Sequence, residues 1–184
     1  MRYYLKMNST SKNPKDGKER MSQSEVESYV TRAHQRASGS DMGDVRINIL
    51  VRRNNCLSME LLNRFLAPYG VSNVGYFAMM MVYSTSDNLA NPSEICRATG
   101  ETRGNMTRIC DELVDKGLMQ RVTNPDDRRR VDLSLTDKGA ALLNTVVPAL
   151  RDHIKELFAP FSEAEKNDLV QLLLKFNQAL MSHI

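Results

Sequence analysis

The stretch NPSEICRATGETRGNMTRICDELVDKGLMQRVTNPDDRRRVDLSLT, residues 91–136, decides the fold of this chain. Asn91 is a favourable N-cap residue, Pro92 suits the first position of a helix, and Glu94 stands where the acid of a capping box belongs. Gly100 then allows a tight turn before a second helix. Two strands around a basic tip follow. This order predicts a helix-turn-helix followed by a wing, and it points to DNA.

The second helix carries one apolar face and one polar face. Its apolar residues recur at three- and four-residue spacing: Met106, Ile109, Cys110 and Leu113. A recognition helix contacts bases mainly with its N-terminal residues, and here these have side chains suited to bases or phosphates: Thr102, Arg103, Asn105, Thr107 and Arg108. We expect the acids further along, Asp111, Glu112 and Asp115, to face away from the phosphates. A solvated amphipathic helix with ordinary ion pairs is the alternative interpretation.

The wing favours DNA more strongly than the helix does. Residues 118–123 are predicted to form its first strand, and in the returning strand Val131, Leu133 and Leu135 alternate with Asp132 and Ser134. Asn124, Pro125 and Asp126 are typical of a turn. Three arginines at the hairpin tip have no core to serve: Arg128, Arg129 and Arg130. They could reach phosphates or enter a narrow minor groove.

This region resembles the MarR (multiple antibiotic resistance regulator) family of bacterial winged-helix regulators. The resemblance rests on residues 92–95, 105–109, 111–113 and 116–118, and on a wing signature formed by Asp126-Asp127-Arg128, Leu135-Thr136 and Gly139. It extends from about Asp44 to the C-terminus and is closest to the subgroup that controls multidrug efflux pumps. It implies a homodimer that represses transcription from palindromic double-stranded operator DNA until a small aromatic or phenolic effector binds. It also places Arg128 where Asp126 would orient the guanidinium for the minor groove.

The composition excludes several other classes of protein. The net charge is only +3 over 184 residues, so DNA binding must rest on local clusters of charge. Three cysteines without a Cys-x-x-Cys pair argue against a disulfide framework and a zinc site. No run of residues suits a membrane span or a secretion signal. We therefore expect a cytoplasmic protein without a cofactor, and no arrangement of nucleophile and base suggests an enzyme.

The predicted architecture is mainly α: a winged helix-turn-helix with a helical dimerisation region and an extra N-terminal helix. Ser22 and Glu25 form a capping-box pattern that begins the extra helix, and Pro148 should kink or interrupt a long helix near the C-terminus. The predicted segments are a disordered tail (1–21), the extra helix (22–40), dimerisation and linker helices (41–85), the winged helix-turn-helix (86–136) and C-terminal dimerisation helices (137–184).

Candidates for an effector site lie in residues 41–85. Arg52 or Arg53 could pair with a ligand carboxylate, while Tyr76 and Met80 could form part of an adaptable wall. Simple core packing is the alternative for Tyr76 and Met80, and surface exposure is the alternative for the arginines.

Two further functions stay open at this level. A thiol could sense oxidation, and Cys56 is the best candidate because Cys96 and Cys110 lie on or beside apolar helix faces. The winged helix could instead bind a protein rather than DNA.

Overall fold

The computed structural model describes residues 21–36, 42–123 and 131–184. Within them the chain forms seven α-helices and one small sheet, so the predicted mainly-α winged helix-turn-helix is confirmed. The elements are α1 (Gln23–Arg36), α2 (Met42–Leu66), a 3-10 turn (Ala67–Tyr69), α3 (Asn73–Ser84), β1 (Leu89–Ala90), α4 (Pro92–Thr99), α5 (Arg103–Asp115), β2 (Met119–Thr123), β3 (Val131–Leu135), α6 (Asp137–Leu157) and α7 (Glu163–Met181). Except for Met21, the predicted tail lies outside the described residues.

The chain divides into two compact units, and the first ends at Glu60. The predicted capping box at the start of α1 is present, since the Ser22 N–H donates to the Glu25 carboxylate at 2.6 Å and the Glu25 N–H donates to the Ser22 hydroxyl at 3.2 Å. The backbone hydrogen bond from Ser22, followed by its side-chain hydrogen bond, lowers the pKa of Glu25. None of the described residues in this unit is buried. The described residues up to Glu60 therefore contain no buried core.

The second unit, from Leu61 onward, contains the hydrophobic core. All four apolar residues predicted for the inner face of α5 are buried. They belong to one core cluster with residues of α3, α4, the strands and the first half of α6: Met79, Ile95, Met119, Leu133 and Leu143. The capping box at Asn91 is also present. Gly100 ends α4 at a φ of 71°, in the left-handed region that glycine adopts without strain.

The sheet has three antiparallel strands in the order β1-β3-β2. The short strand β1 was not predicted, and it makes β3 the central strand. Polar and apolar residues of β3 do not separate onto exposed and buried faces, because Asp132, Leu133 and Ser134 are all buried. Successive strand residues point to opposite faces, so both faces of β3 are covered here.

The start of α6 packs directly against the turn that follows α5. Thr136 caps α6, and its hydroxyl donates to the carbonyl of Gly117 at 2.7 Å. Its N–H donates to the carbonyl of Leu118 at 3.1 Å. A Cβ at Gly139 would lie 2.0 Å from that same carbonyl oxygen, so no side chain fits there. Pro148 does not interrupt α6, which continues to Leu157.

Candidate nucleic-acid interface

The face of α5 opposite its buried residues is open to solvent. Thr102 accepts a hydrogen bond from the Asn105 N–H at 3.3 Å and so caps the helix. Arg103 projects from the first turn and is exposed, as are Thr107 and Arg108. The first N–H groups of a helix and its macrodipole favour an anion at this end. This end of α5 therefore combines exposed cations with a helix N-terminus.

Asn105 is held by its neighbours rather than presented to solvent. Its amide donates to the Glu101 carboxylate at 2.6 Å, and its carbonyl accepts from the Arg108 guanidinium at 3.1 Å. Arg108 also pairs with Glu112 at 3.4 Å. Each of these two bonds uses only one of the two N–H donors or one of the two carbonyl lone pairs of the Asn105 amide. In the free protein, Asn105 orients Arg108.

The acids of α5 share one exposed surface with residues of its first two turns. Asp111 and Asp115 line the same shallow surface as Gly104, Thr107 and Arg108, because these residues recur at three- and four-residue spacing. The exposed face is thus cationic in its first two turns and acidic beyond them.

Two cations offset the acidic half of this face. Arg121 on β2 pairs with Asp111 at 2.5 Å. Lys116 pairs with Glu112 at 2.6 Å and also donates to the Gly70 carbonyl at 2.7 Å. The hydrogen bond from Lys116 is the main reason that the pKa of Glu112 is lowered. Arg121 was missed by reasoning from the sequence, although its position after the helix and within a predicted strand was visible.

The wing is described at its base but not at its tip. β2 and β3 pair from Met119 opposite Leu135 to Thr123 opposite Val131. The predicted tip arginines, Arg128, Arg129 and Arg130, lie outside the described residues.

The candidate effector residues have different environments. Arg52 is exposed, while Arg53 is half-buried and donates to the Met21 carbonyl at 2.7 Å. Tyr76 belongs to the core of the second unit, where burial raises its pKa, and Met80 is packed against that core. Core packing, the alternative interpretation of Tyr76, therefore describes the structure without a ligand.

The three thiols differ in access. Cys56 is exposed, Cys96 is half-buried and Cys110 is buried. Burial is the main cause that raises the pKa of Cys110, to about 11. Such a thiol stays protonated and unreactive near neutral pH. Among the described residues, no group of His, Cys, Asp and Glu side chains is arranged to hold a metal ion.

In the same described ranges no single helix is long and apolar enough to cross a membrane. α2 and α3, which are bent by 78° relative to each other, meet the length and composition requirement only as a pair.

Known proteins are similar to this chain in both sequence and fold. A model of the MarR family matches residues 69–130. The transcriptional repressor MprA of Escherichia coli is 33% identical over 117 residues, which cover 64% of this chain and 66% of MprA, just under two thirds of that relative. A mutant MarR from E. coli complexed with operator DNA matches with a TM-score of 0.66 and 27% identity, covering 74% of this chain and 99% of that one. Wild-type apo MarR from E. coli matches with a TM-score of 0.61 and 28% identity, over 70% and 95% of the two chains. Residues 69–130 thus match the MarR family, whose members are winged-helix, DNA-binding transcriptional regulators and not enzymes.

Proposed function

We propose that this protein is a homodimeric repressor that binds a palindromic operator in the cytoplasm and releases it when a small aromatic or phenolic molecule binds. The observation that carries the proposal is the exposed, cationic start of α5, where Arg103, Thr107 and Arg108 project from a capped helix N-terminus. Arg103 is the candidate for a base contact. Arg108, which donates to the Asn105 carbonyl, is the candidate for a contact with a base or a phosphate.

The argument for a dimer starts from α7. None of its residues is buried, and it exposes several large apolar side chains: Val170, Leu172, Leu173, Leu174, Leu180 and Met181. An apolar surface of this kind marks an interaction site. A second copy related by a two-fold axis would cover it and would present two copies of α5 to half-sites about one helical turn apart.

Selection of bound sequences from random DNA tests the DNA-binding part of the proposal. Arg103→Ala should relax the preference at one base pair in each half-site, because a bidentate base contact is lost. Arg151→Ala, which removes an exposed arginine from α6, is the matched control and should leave the preference unchanged. A loss of affinity that is equal for all sequences would assign Arg103 to a phosphate instead.

The wing arginines are proposed to supply affinity without sequence preference. Arg128→Ala should cost on the order of 1–3 kcal/mol of binding free energy and make the salt dependence of binding shallower. Arg129 and Arg130 should each matter less, since neighbouring strand residues point in opposite directions. A protein-binding module, the alternative function, would show no salt-dependent affinity for DNA at all.

Ligand release is tested by titrating operator DNA with protein in the presence of salicylate. A ~100-fold loss of operator affinity needs a difference of roughly 3 kcal/mol between the two states. A ligand beside Tyr76 must displace core packing. Arg53 donates to the Met21 carbonyl through one of the two terminal nitrogens of its guanidinium, a group with five N–H donors in all. Arg52→Ala and Arg53→Ala are therefore measured separately.

The outcomes of that titration separate the possible triggers. If the wild type responds and both arginine variants respond identically, the partner of the carboxylate is another residue. If no aromatic acid shifts the wild-type curve, oxidation of Cys56 becomes the next trigger to test, with Cys56→Ser as its control.

A further inference from the structure

We infer that the hydrogen bond from half-buried Asn91 to buried Asp132 is a polar bridge that fixes the base of the wing to the first helix of the helix-turn-helix, and that both are positioning residues for DNA binding. The inference rests on the proposed function, because it concerns how the wing is presented to DNA. Neither residue is expected to touch the operator.

Asn91 uses its side chain in two directions at once. Its carbonyl oxygen accepts from the Ser93 N–H at 2.9 Å and caps α4. Its amide nitrogen donates to the carboxylate of Asp132 at 3.3 Å. The Asn91 N–H is bound separately, by Glu94 at 3.1 Å. One residue thus joins the helix cap to strand β3.

The sheet register explains why these two residues meet. Ala90 in β1 lies opposite Leu133 in β3. In an antiparallel pair the next residues along, Asn91 and Asp132, are neighbours across the strands. This side-chain hydrogen bond therefore extends the β1–β3 pairing by one residue beyond Ala90 and Leu133. It lies where the chain leaves β1 and begins α4.

The burial of Asp132 makes it unlike an ordinary surface acid. Only 4% of Asp132 is exposed, whereas 44% of Val131, the next residue towards the wing tip, is exposed. Asp132 is therefore the last buried residue of β3 before the tip. Burying a carboxylate costs several kcal/mol unless it is hydrogen-bonded. An apolar side chain would fill the same space without that cost, but it would not select one orientation as a directional hydrogen bond does.

The bridge has a specific consequence for the DNA contacts. Losing it leaves α5 and its cap intact but allows the β2–β3 hairpin to pivot at its base. The tip arginines would then contribute less, while Arg103 would still read its base pair. Weaker binding with a shallower salt dependence and an unchanged sequence preference is the expected signature.

Asn91→Ser is the sharpest test, because serine keeps the N-cap acceptor and removes the amide donor. We expect operator affinity to fall about 5-fold, in the range of one ordinary hydrogen bond, and the salt slope to fall by about one phosphate contact. Asp132→Asn keeps the acceptor oxygen and should bind within about 2-fold of the wild type. Asn91→Asp keeps the cap but sets two carboxylates together and should be the weakest binder.

A second measurement follows the wing itself. Amide hydrogen exchange at Thr123 and Val131, the outermost described pair of the hairpin, should be faster in Asn91→Ser, while exchange in α5 stays at the wild-type rate. Unchanged exchange at this pair overturns the bridge. Unchanged operator affinity and salt slope, or an affinity loss without a change of slope, overturns its role in positioning the wing. Failure of the wild type to bind DNA counts against the proposed function alone, since the exchange experiment still decides the bridge.

Discussion

Helices α5 and α7 are both amphipathic, yet they differ in what covers their apolar faces. α5 has thirteen residues and buries four of them inside its own chain. α7 has nineteen residues and buries none. An apolar stripe shows that a helix face needs a cover, but it does not show whether the same chain supplies that cover. For α5 the rest of the winged helix does so, and for α7 we propose a second molecule.

Truncating an apolar side chain should give the largest difference between the two helices in the free energy of unfolding. Met106→Ala on α5 should lower the free energy of unfolding by about 2–5 kcal/mol, since it opens a cavity in a fully buried site. Leu173→Ala on α7, where half of the side chain is exposed, should cost less than about 1 kcal/mol in dilute, monomeric protein. Denaturant titrations at low and high protein concentration measure both costs.

The cost of Leu173→Ala should rise with protein concentration, because only the dimer buries that side chain. A cost that is large and independent of concentration would mean that α7 is covered within one chain, and the comparison with α5 would fail.

Two glycines sharpen the comparison by giving effects of opposite sign. Gly139→Ala should destabilise the fold by about 1–3 kcal/mol, because its Cβ would clash with the Leu118 carbonyl, and this exceeds the gain of up to ~1 kcal/mol in helix propensity. Gly104→Ala, on the open face of α5 with no atom within 4 Å, should stabilise the free protein by about 0.5–1 kcal/mol. Thermal unfolding of the two variants against the wild type checks the signs.

Much of this organisation is predictable because it is local. The Asn91 capping box and the four buried residues of α5 follow from spacings of three and four residues. β1 is not predictable in this way, since two residues have no periodicity and Leu89 and Ala90 become a strand only by pairing with β3. The burial of Asp132 and Ser134 depends on that same pairing. The rotation of α5, which puts Asp111 beside Arg108, could have been derived from the helical repeat alone.

The pH dependence of stability depends on how strongly the inner face of α5 excludes water from Cys110. Its effect is smaller than that of the core truncation. The folded pKa of Cys110 is about 11, against an ordinary value of 9.0. Between these values the unfolded chain loses a proton that the folded chain retains, so the contribution of Cys110 is complete below pH 9.0 and is lost as the pH rises to about 11. Cys110→Ala should remove that part of the pH dependence of stability, measured by denaturant titration.

Labelling with iodoacetamide at pH 8 compares the solvent access of the inner face of α5 with that of the apolar face of α7. Cys56 should react first and Cys110 only on unfolding. In a Cys56→Ser background, Leu173→Cys should react in dilute protein and become protected as the dimer forms. Rapid labelling of Cys110 in native protein would show that the inner face of α5 opens readily.

The smallest effect concerns the outer face of α5. Asp111→Asn removes a negative charge from the face proposed to meet DNA and frees Arg121 from its ion pair. Operator affinity should rise by about 2–5-fold at low salt, and the gain should shrink as salt screens the charge. Glu163→Gln on α7 removes a charge far along the chain from that face and should leave the affinity unchanged. Equal effects of the two variants would indicate a response to net charge rather than to a contact surface.

The tight junction between α5 and α6 determines how large a movement the proposed ligand response would require. α6 has 21 residues, so its axis is ~31 Å long. A tilt of ~5° about its far end displaces its first turn by ~3 Å, close to the ~3.4 Å that separates successive base pairs. Because the Thr136 N–H and the Leu118 carbonyl join that first turn to the residues just after α5, no flexible loop absorbs the displacement. A rotation of a few degrees at the far end of α6 is thus enough to move the recognition helix by about one base step.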